Sequence, residues 1–390
     1  MKKYKIGCVF ILFLTTIICC VEPFDIKSLE YENFLVVEAT ITDENKKQEI
    51  KLSRTFEVDS LGPRPEVNAK VFLLDGSKTQ YNFIEESNGL YTSNLLVDKN
   101  KTYTLKIETS NGEYYSSSSE KLTNPAQINA VEFEIGENNL EEKRIFINVS
   151  SFNPNNNSNY YRYKYEETYK IIAPYWSSYS IKIISDFEFL KELSKTNSQI
   201  CYKTLYSKES LQTETSSLNE DRVVKFPIKL IYLRDFKISH RYSILVKQYV
   251  QTANAYNYYK TLNNFSSNKS FFSQVQTGFL QGNLSSEKNI KNKVVGFFEL
   301  SSVSKKRLFF NRGEISPLIP DYINDCEFIA PRLNDLGGSP LLAALKNDYV
   351  YYDDNDLGLD HLEGPYLLVK KPCADCKELG TNIKPSFWID

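Results

Sequence analysis

Few residues in this 390-residue chain could carry acid–base or nucleophilic chemistry. Its only histidines are His240, just before a predicted strand, and His361, in an acidic loop. The sequence has no His-x-x-x-His pair, no Gly-x-Ser-x-Gly elbow and no glycine-rich phosphate loop, so the parts of a zinc hydrolase or a serine triad are missing. Two facing carboxylates could cleave a glycoside without histidine, but no pair stands out among 49 acidic residues. We therefore expect no catalytic residues and no cofactor, and hence a protein that is not an enzyme.

The N-terminus predicts a different chemistry, the attachment of lipid to a cysteine. Three lysines lie within the first five residues, and an apolar run covers residues 6–18. That run has the length of a signal-peptide core and is too short to cross a bilayer, which takes about 20 residues. Ile17-Ile18-Cys19-Cys20 then resembles a lipobox, with an ordinary signal peptide as the alternative. We expect residues 1–19 to be a signal peptide, Cys20 to be lipidated and residues 20–32 to form a tether.

Four further cysteines could form two disulfides, a zinc site or a redox motif: Cys201, Cys326, Cys373 and Cys376. Disulfides are the default in the oxidising compartments that exported proteins enter. A zinc ribbon would contain a second C-x-x-C. A redox motif would have a strand before it and a helix after it, whereas Pro372 and Gly380 predict a loop. The sequence favours disulfides, with a slight preference for pairing each C-x-x-C cysteine with a distant partner.

Three weaker patterns have ordinary explanations. Acidic residues at Asp353, Asp354, Asp356 and Asp360 could bind calcium, but Leu357 occupies a ligand position of the EF-hand and no glutamate closes the loop, so a solvated loop without a metal is favoured.

Asp59-Ser60-Leu61 resembles a short bacterial O-glycosylation signal, with Ser60 as the acceptor. Tyr175, Trp176 and Tyr179 could stack on a sugar, although packing at a sheet edge is the favoured interpretation.

Composition limits the class of protein. Without the lysines of the predicted signal peptide the chain carries 44 basic and 49 acidic residues, a net charge near −5, and it has no basic stripe for nucleic acid. Abundant Tyr (27) and Phe (24) favour strands. About 370 residues exceed what one small core usually organises, so we expect two domains.

The positions of short alternating segments and turns predict an all-β fold with two β-sandwich-like domains. Residues 33–124 should form the first sandwich, of immunoglobulin or transthyretin type. Residues 125–390 should form a larger β-rich domain, with helices predicted at 186–193 and 250–262 and a cysteine-containing tail that wraps it without a core of its own. The strands predicted here are 130–135, 144–150, 160–172, 200–206, 223–233, 241–249 and 294–310.

Several segments, in order along the chain, resemble the outer-membrane lipoproteins of domain-of-unknown-function family 4249 from Bacteroidetes-type bacteria. They are Cys20-Val-Glu-Pro23, Glu32-Asn-Phe-Leu-Val-Val-Glu38, Lys51-Leu-Ser-Arg54, Tyr160-Tyr-Arg-Tyr-Lys-Tyr-Glu-Glu-Thr168, Ala173-Pro174, Cys201-Tyr-Lys-Thr204, Leu218-Asn-Glu-Asp221, Gly282-Asn-Leu284, Gly296-Phe-Phe298, Lys306-Arg-Leu-Phe309, Cys373-Ala-Asp-Cys376 and Lys384-Pro-Ser-Phe-Trp388. The resemblance implies a periplasmic or surface lipoprotein of the outer membrane, encoded near TonB-dependent receptors, and it implies no reaction.

The sequence therefore predicts an accessory or ligand-capture subunit of a TonB-dependent receptor. Its expected partners are the membrane, through the lipid, and that receptor, but not nucleic acid. The alternatives are a surface adhesion or structural lipoprotein and, less favoured, a carbohydrate-active enzyme. A cleft with two facing carboxylates would favour the enzyme, and flat sandwiches with an exposed edge would favour adhesion.

Overall fold

The computed structural model describes residues 33–56, 62–137, 142–195, 197–267, 279–289, 292–315, 326–355 and 364–390. The predicted signal peptide and tether lie outside these residues. Four candidate site positions and one histidine lie outside them as well: Cys20, Ser60, Asp356, Asp360 and His361.

Strands dominate the fold, which confirms the predicted all-β class with a few short helices. Up to residue 137 the strands are Leu35–Thr42 (β1), Gln48–Arg54 (β2), Arg64–Pro65 (β3), Lys70–Asp75 (β4), Gln80–Ser87 (β5), Leu90–Ser93 (β6), Thr102–Glu108 (β7), Tyr114–Ser117 (β8), Glu120–Lys121 (β9) and Ile128–Glu137 (β10).

From residue 143 onward the strands are Lys143–Asn153 (β11), Tyr160–Ile172 (β12), Tyr179–Ser185 (β13), Glu188–Leu193 (β14), Ile200–Tyr206 (β15), Leu211–Glu214 (β16), Asp221–Tyr232 (β17), Arg241–Val250 (β18), Leu284–Ser286 (β19), Val294–Ser301 (β20), Val303–Asn311 (β21), Tyr349–Asp354 (β22) and Tyr366–Lys370 (β23). The α-helices are Ala253–Ser267 (α1), Pro340–Lys346 (α2) and Lys371–Ala374 (α3), and short 3-10 helices cover Phe236–Ile238, Arg312–Glu314 and Cys376–Glu378.

The first sandwich is one 11-stranded sheet that encloses a core. Its main path runs β19-β8-β7-β4-β5-β6-β2-β1-β20, with β3 beside β2 and β9 beside β7. In β1, Leu35, Val37 and Ala39 are buried, while the residues between them face outward, as the period-2 geometry of a strand requires. These side chains join apolar residues of β2, β4, β7 and β20 in a single core.

The first sandwich is not complete within residues 33–124. Strand β20 pairs in parallel with β1, and β19 pairs with β8, so strands from beyond residue 280 close this sheet. The segment 294–310, expected to be one strand, breaks at Ser302 into β20 of the first sandwich and β21 of the second. Ser302 is buried there; its N–H donates to Thr123 Oγ1 at 2.9 Å and its hydroxyl to the carbonyl oxygen of Asn124 at 2.9 Å. The two chain segments that connect the sandwiches, at residues 123–124 and at Ser302, are therefore hydrogen-bonded to each other.

The second sandwich packs a three-stranded sheet, β10-β11-β17, against a sheet of order β15-β12-β18-β21 with β16 beside β12. Both contribute to one core, in which Ile145 and Ile147 of one sheet meet Tyr163 and Ile244 of the other. Strand β12 is long and central, so it carries side chains into this core on one face and toward the first sandwich on the other.

Two helix predictions had different outcomes. Residues 186–193 do not form a helix, because β14 pairs with β13 in a hairpin whose Phe189 packs against the tail. The apolar residues of this segment fit both a helical and a strand period, and tertiary packing selects the strand. Helix α1 forms near the expected place, and Ala255, Tyr256 and Tyr258 are buried on it.

The C-terminal tail was expected to have no core, and that expectation is wrong. Leu341 of α2, Tyr351 of β22 and Leu368 of β23 are buried together against Ile181 and Phe189 of the β13–β14 hairpin.

Two disulfides hold this tail in place. Cys201 of β15 is bonded to Cys376, and Cys326 is bonded to Cys373. Each cysteine of the C-x-x-C therefore has a distant partner, which is the preferred sequence interpretation.

Candidate functional site

A cleft of about 580 Å³ lies where the two sandwiches meet. Strands β1, β2 and β20 form its wall on the first sandwich, while β12, the end of β18 and helix α1 form the wall on the second. Pockets that bind small molecules usually enclose about 300–1,000 Å³ and often lie between domains. The position and size of this cleft make it the leading candidate for a ligand site.

A buried ion pair forms the floor of the cleft. Arg162 of β12 donates to Glu299 of β20, and both side chains are almost completely buried. Burial is the largest single effect on Arg162 and lowers its pKa, but Glu299, Tyr259 and Tyr249 together raise that pKa by more, so the guanidinium stays charged. The guanidinium carbon lies 4.4 Å from the ring centre of Tyr259 and 5.0 Å from that of Tyr249, within cation–π range.

Glu299 accepts further hydrogen bonds that fix its position. The hydroxyl of Thr40 on β1 donates to it at 2.8 Å, and the amide of Gln251 donates at 3.2 Å. Because β1, β12 and β20 all contribute to this network, the two walls of the cleft are held in one arrangement. A buried ion pair is stable only when such additional hydrogen bonds satisfy it.

Lysines surround the mouth of the cleft. Lys46 lies 2.9 Å from Glu44, Lys51 lies 3.6 Å from Glu38, and Lys47 pairs with Glu86. Lys164 of β12, by contrast, has no ion-pair partner in the described ranges of the chain. It keeps an exposed surface, yet the protein packed around its amine lowers its pKa, and the nearby charge of Arg162 lowers it further.

The remaining wall is aromatic and apolar. Tyr258 of α1 packs on Phe297 of β20 with ring centres 5.4 Å apart, and Leu262 extends the wall along the helix. The strand beside it needs Gly296, whose φ is +145° and where an added Cβ would lie 2.2 Å from the carbonyl oxygen of Val37. Only glycine allows this close approach of β20 to β1.

None of the candidate site residues predicted from the sequence lines this cleft. In β12, Arg162, Lys164 and Glu166 alternate with tyrosines, a pattern that reads as an ordinary solvated face of a strand. The long-range pairing of β20 with β1 and the packing of helix α1 together cover that face. The family-resembling segments 32–38, 51–54, 160–168 and 296–298 contribute residues to the cleft, and this resemblance was the sequence signal that touched the site.

His240 lies at the start of β18, at the opposite end of that strand from Tyr249, and lines a shallow surface depression. Burial lowers its pKa, and the charges of Lys170 and Arg312 lower it further, so the imidazole is neutral at pH 7.

In the described part of the acidic segment 353–360, Lys191 forms an ion pair with Asp354. Lys191 Nζ lies 2.6 Å from Asp354 Oδ2, the Tyr351 hydroxyl donates to Asp354 at 2.9 Å, and Asp353 accepts from the Asp354 N–H. Within the described ranges no three His, Cys, Asp or Glu side chains are grouped to hold a metal ion.

The three aromatic residues near residue 175 do not share one surface. Tyr175 packs edge-on against Phe328, with ring centres 4.7 Å apart. Trp176 and Tyr179 instead line a second pocket of about 290 Å³ between the β13–β14 hairpin and the tail. Lys191 lies over the ring of Tyr179, at 5.0 Å from its centre.

No helix in the described part of the chain has the length and hydrophobicity to span a membrane. Comparison with curated proteins gives no match. A family described as Domain of unknown function (DUF4249) matches residues 21–307, which include the first sandwich, helix α1 and both walls of the cleft. Because this match covers well over half of the 390 residues, the chain belongs to the DUF4249 family.

Proposed function

We propose that this protein is a lipid-anchored lipoprotein of the outer membrane that captures a ligand in the cleft between its sandwiches. In this proposal it delivers the ligand as an accessory subunit of a TonB-dependent receptor. The observation that carries ligand capture is the cleft itself, with a rigid charged floor, an aromatic wall and a volume suited to a small molecule. The lipobox at Cys20 and the family resemblance support the location and the receptor.

The arrangement of charges in the cleft favours binding over hydrolysis. A glycosidase requires an acid and a facing carboxylate on either side of the bond that it breaks. Here Glu299 is held by Arg162, and Glu38 lies beside Lys51. Glu299 is thus occupied by a buried cation and Glu38 lies near an exposed one, an arrangement that supports the proposal of a protein that is not an enzyme.

Adhesion is the second candidate, and the β13–β14 hairpin favours it. Ile184, Phe187 and Leu190 are 48%, 64% and 50% exposed around its tip. Exposed apolar groups of this kind mark surfaces that contact other proteins. The same surface could equally serve receptor docking, so the two functions are distinguished by the identity of the partner.

An affinity pull-down tests the proposed function. The tagged full-length chain is isolated from gently solubilised membranes and its partners are identified by mass spectrometry, with Cys20→Ala as the control for anchoring. We expect a TonB-dependent receptor to be enriched with the wild type. We also expect Cys20→Ala to abolish labelling by a palmitate analogue and to release the chain from membranes.

Repeated isolation without any receptor would contradict the proposal and leave adhesion as the better explanation. Labelling that persists in Cys20→Ala would contradict the anchor. A matched pair of hairpin variants, Phe187→Ser and Lys182→Ser, locates the docking surface: loss of the partner with the first alone assigns docking to the exposed apolar tip.

A further inference from the structure

The cleft has an excess of positive charge. Arg162, Lys164 and three lysines of the segment 46–51 line it, against the carboxylates of Glu38 and Glu49. The excess is not a diffuse property of the chain, whose overall charge is −2. A concave site lined by one sign of charge attracts ligands of the other sign.

The uncompensated part of this charge is at Lys164. Its neighbour across the sheet is Lys247, which is itself bound to Glu166, and the next residue on the same face is Arg162, bound to Glu299. Lys164 thus lies between two cations that already have partners, and in the described part of the chain it has none. Burial lowers the pKa of its amine, and the charge of Arg162 lowers it further. An anion bound beside it would reverse that effect.

The floor of the cleft also contains a hydrogen-bond donor without an acceptor. Arg162 Nε is buried and has no hydrogen-bond acceptor among the described residues. A buried donor without a partner is unfavourable, because it has lost its hydrogen bonds to water. Arg162 at the floor thus has one buried donor without a partner, while Lys164 at the mouth has an exposed surface and no anionic partner among the described residues.

Beside these cations lies the apolar wall formed by Tyr258, Leu262 and Phe297. Most of a small ligand's surface in such a pocket contacts apolar groups, and a few polar groups fix its orientation. The cleft therefore has two adjoining parts, one suited to a carboxylate or phosphate group and one suited to an apolar or aromatic body.

We propose that the cleft binds an organic anion, in which a carboxylate or phosphate group contacts Lys164 and an apolar or aromatic body lies against Tyr258, Leu262 and Phe297. This inference rests on the proposed capture function and names the class of ligand. It does not depend on the receptor as partner.

The test uses two probes of equal shape, 2-naphthoate and its neutral counterpart 2-naphthamide. Their binding to the full-length protein in lipid nanodiscs is measured by saturation-transfer difference NMR, with empty nanodiscs as the blank. We expect the wild type to bind the anion up to about fivefold more tightly than the amide, the range of a partly exposed ion pair.

Lys164→Gln should remove this preference, and Lys164→Arg should retain it. Lys203→Gln, which removes an exposed lysine of β15 outside the cleft, is the matched control and should behave as the wild type. Leu262→Asp should weaken both probes, because it places a charge in the apolar wall.

Equal affinity of the two probes for the wild type, or an unchanged preference in Lys164→Gln, would overturn the assignment of an anion. Loss of the receptor in the pull-down with naphthoate selectivity intact would remove only the receptor-linked role. The failure of one proposal is thus distinguishable from the failure of the other.

Discussion

Both sandwiches bury tyrosines, and the hydroxyl groups of these tyrosines have two different kinds of partner. In the first sandwich, fully buried Tyr91 donates to the backbone carbonyl of Glu66 and accepts from the N–H of Ala69, both at 2.9 Å. Tyr103 likewise accepts from a backbone N–H, that of Asp98, at 3.0 Å. These partners are neutral and lie close to each tyrosine in the folded sheet.

In the second sandwich two buried tyrosines have buried carboxylates as partners. Tyr161 donates to Asp221 and Tyr242 donates to Glu167, each at 2.6 Å. Both carboxylates are almost inaccessible to solvent, and they lie 60 and 75 residues from their tyrosines in the sequence.

A buried carboxylate needs several donors, whereas a backbone group needs one. Asp221 also accepts from the Thr215 hydroxyl at 2.6 Å, and Glu167 has Lys237 Nζ at 3.6 Å and Lys229 Nζ at 3.7 Å. The partners of Tyr161 and Tyr242 in the second core are therefore charged, whereas those of Tyr91 and Tyr103 in the first core are neutral. Carboxylate partners also occur in the first sandwich, where Tyr81 donates to Asp75 and Tyr115 donates to Glu113. The difference in partner predicts that loss of the Tyr242 hydroxyl destabilises the protein more than loss of the Tyr91 hydroxyl.

The largest expected effect on stability comes from a disulfide whose loop contains elements of both sandwiches. The Cys201–Cys376 disulfide spans 175 residues, and the loop that it closes contains β19 and β20 of the first sandwich. Loop-closure entropy predicts that Cys201→Ala with Cys376→Ala lowers the free energy of unfolding by about 5 kcal/mol. Denaturant titration measures this loss, and hydrogen exchange should show weaker protection in β20 as well as in β15.

The second disulfide provides the matched control. Cys326–Cys373 spans 47 residues that belong to the tail, so its removal should cost about 4 kcal/mol and leave the exchange of β20 unchanged. Equal effects of both variants on β20 would show that the first disulfide does not couple the sandwiches.

The sequence was sufficient to predict those strands whose structure depends on a local residue pattern. The strands predicted at 160–172 and 200–206 match β12 and β15. The predicted export of the chain made disulfides the expected state of four cysteines. Period 2 is a local property, so it needs no knowledge of the partner strand.

Long-range pairing decides what the sequence could not show. The parallel pairing of β20 with β1 joins residues about 260 apart, and it turns the outer face of β12, with Arg162 and Lys164, into the wall of a cleft. The hairpin at residues 179–193 likewise becomes strand only because Ile181 and Phe189 pack on the tail. These contacts have no local signature, so the site was absent from the sequence prediction.

Matched Tyr→Phe substitutions test the comparison directly. Tyr242→Phe removes a donor to buried Glu167, and hydrogen bonds to charged groups contribute about 1.5–3 kcal/mol. Tyr91→Phe removes only neutral backbone contacts, for which about 1 kcal/mol is expected. Both rings are fully buried, so the loss of packing is the same. Equal losses of unfolding free energy in denaturant titrations would contradict the expected difference between charged and neutral partners.

The smallest expected effect is a loss of stability at alkaline pH, caused by Tyr169, whose pKa depends on burial and on Glu167. Burial raises the pKa of Tyr169 to about 12, with a further contribution from the charge of Glu167. An unfolded tyrosine has a pKa near 10. The folded state therefore holds this proton more strongly, so the stabilisation is complete below about pH 10 and is lost as pH rises from 10 to 12. At pH 11 the loss from this residue is about 1 kcal/mol.

Tyr169→Phe should remove that contribution, so between pH 9 and pH 11 the variant should lose about 1 kcal/mol less stability than the wild type. Unfolding in guanidinium is followed by tryptophan fluorescence, to which Trp388 contributes through its packing on Tyr202 of the second sandwich. Tyr206→Phe, at an exposed position of β15, is the control and should follow the wild type. If Tyr169→Phe also follows the wild type, then neither burial nor Glu167 holds the phenol proton. The carboxylate network would then not set the electrostatics of the second core.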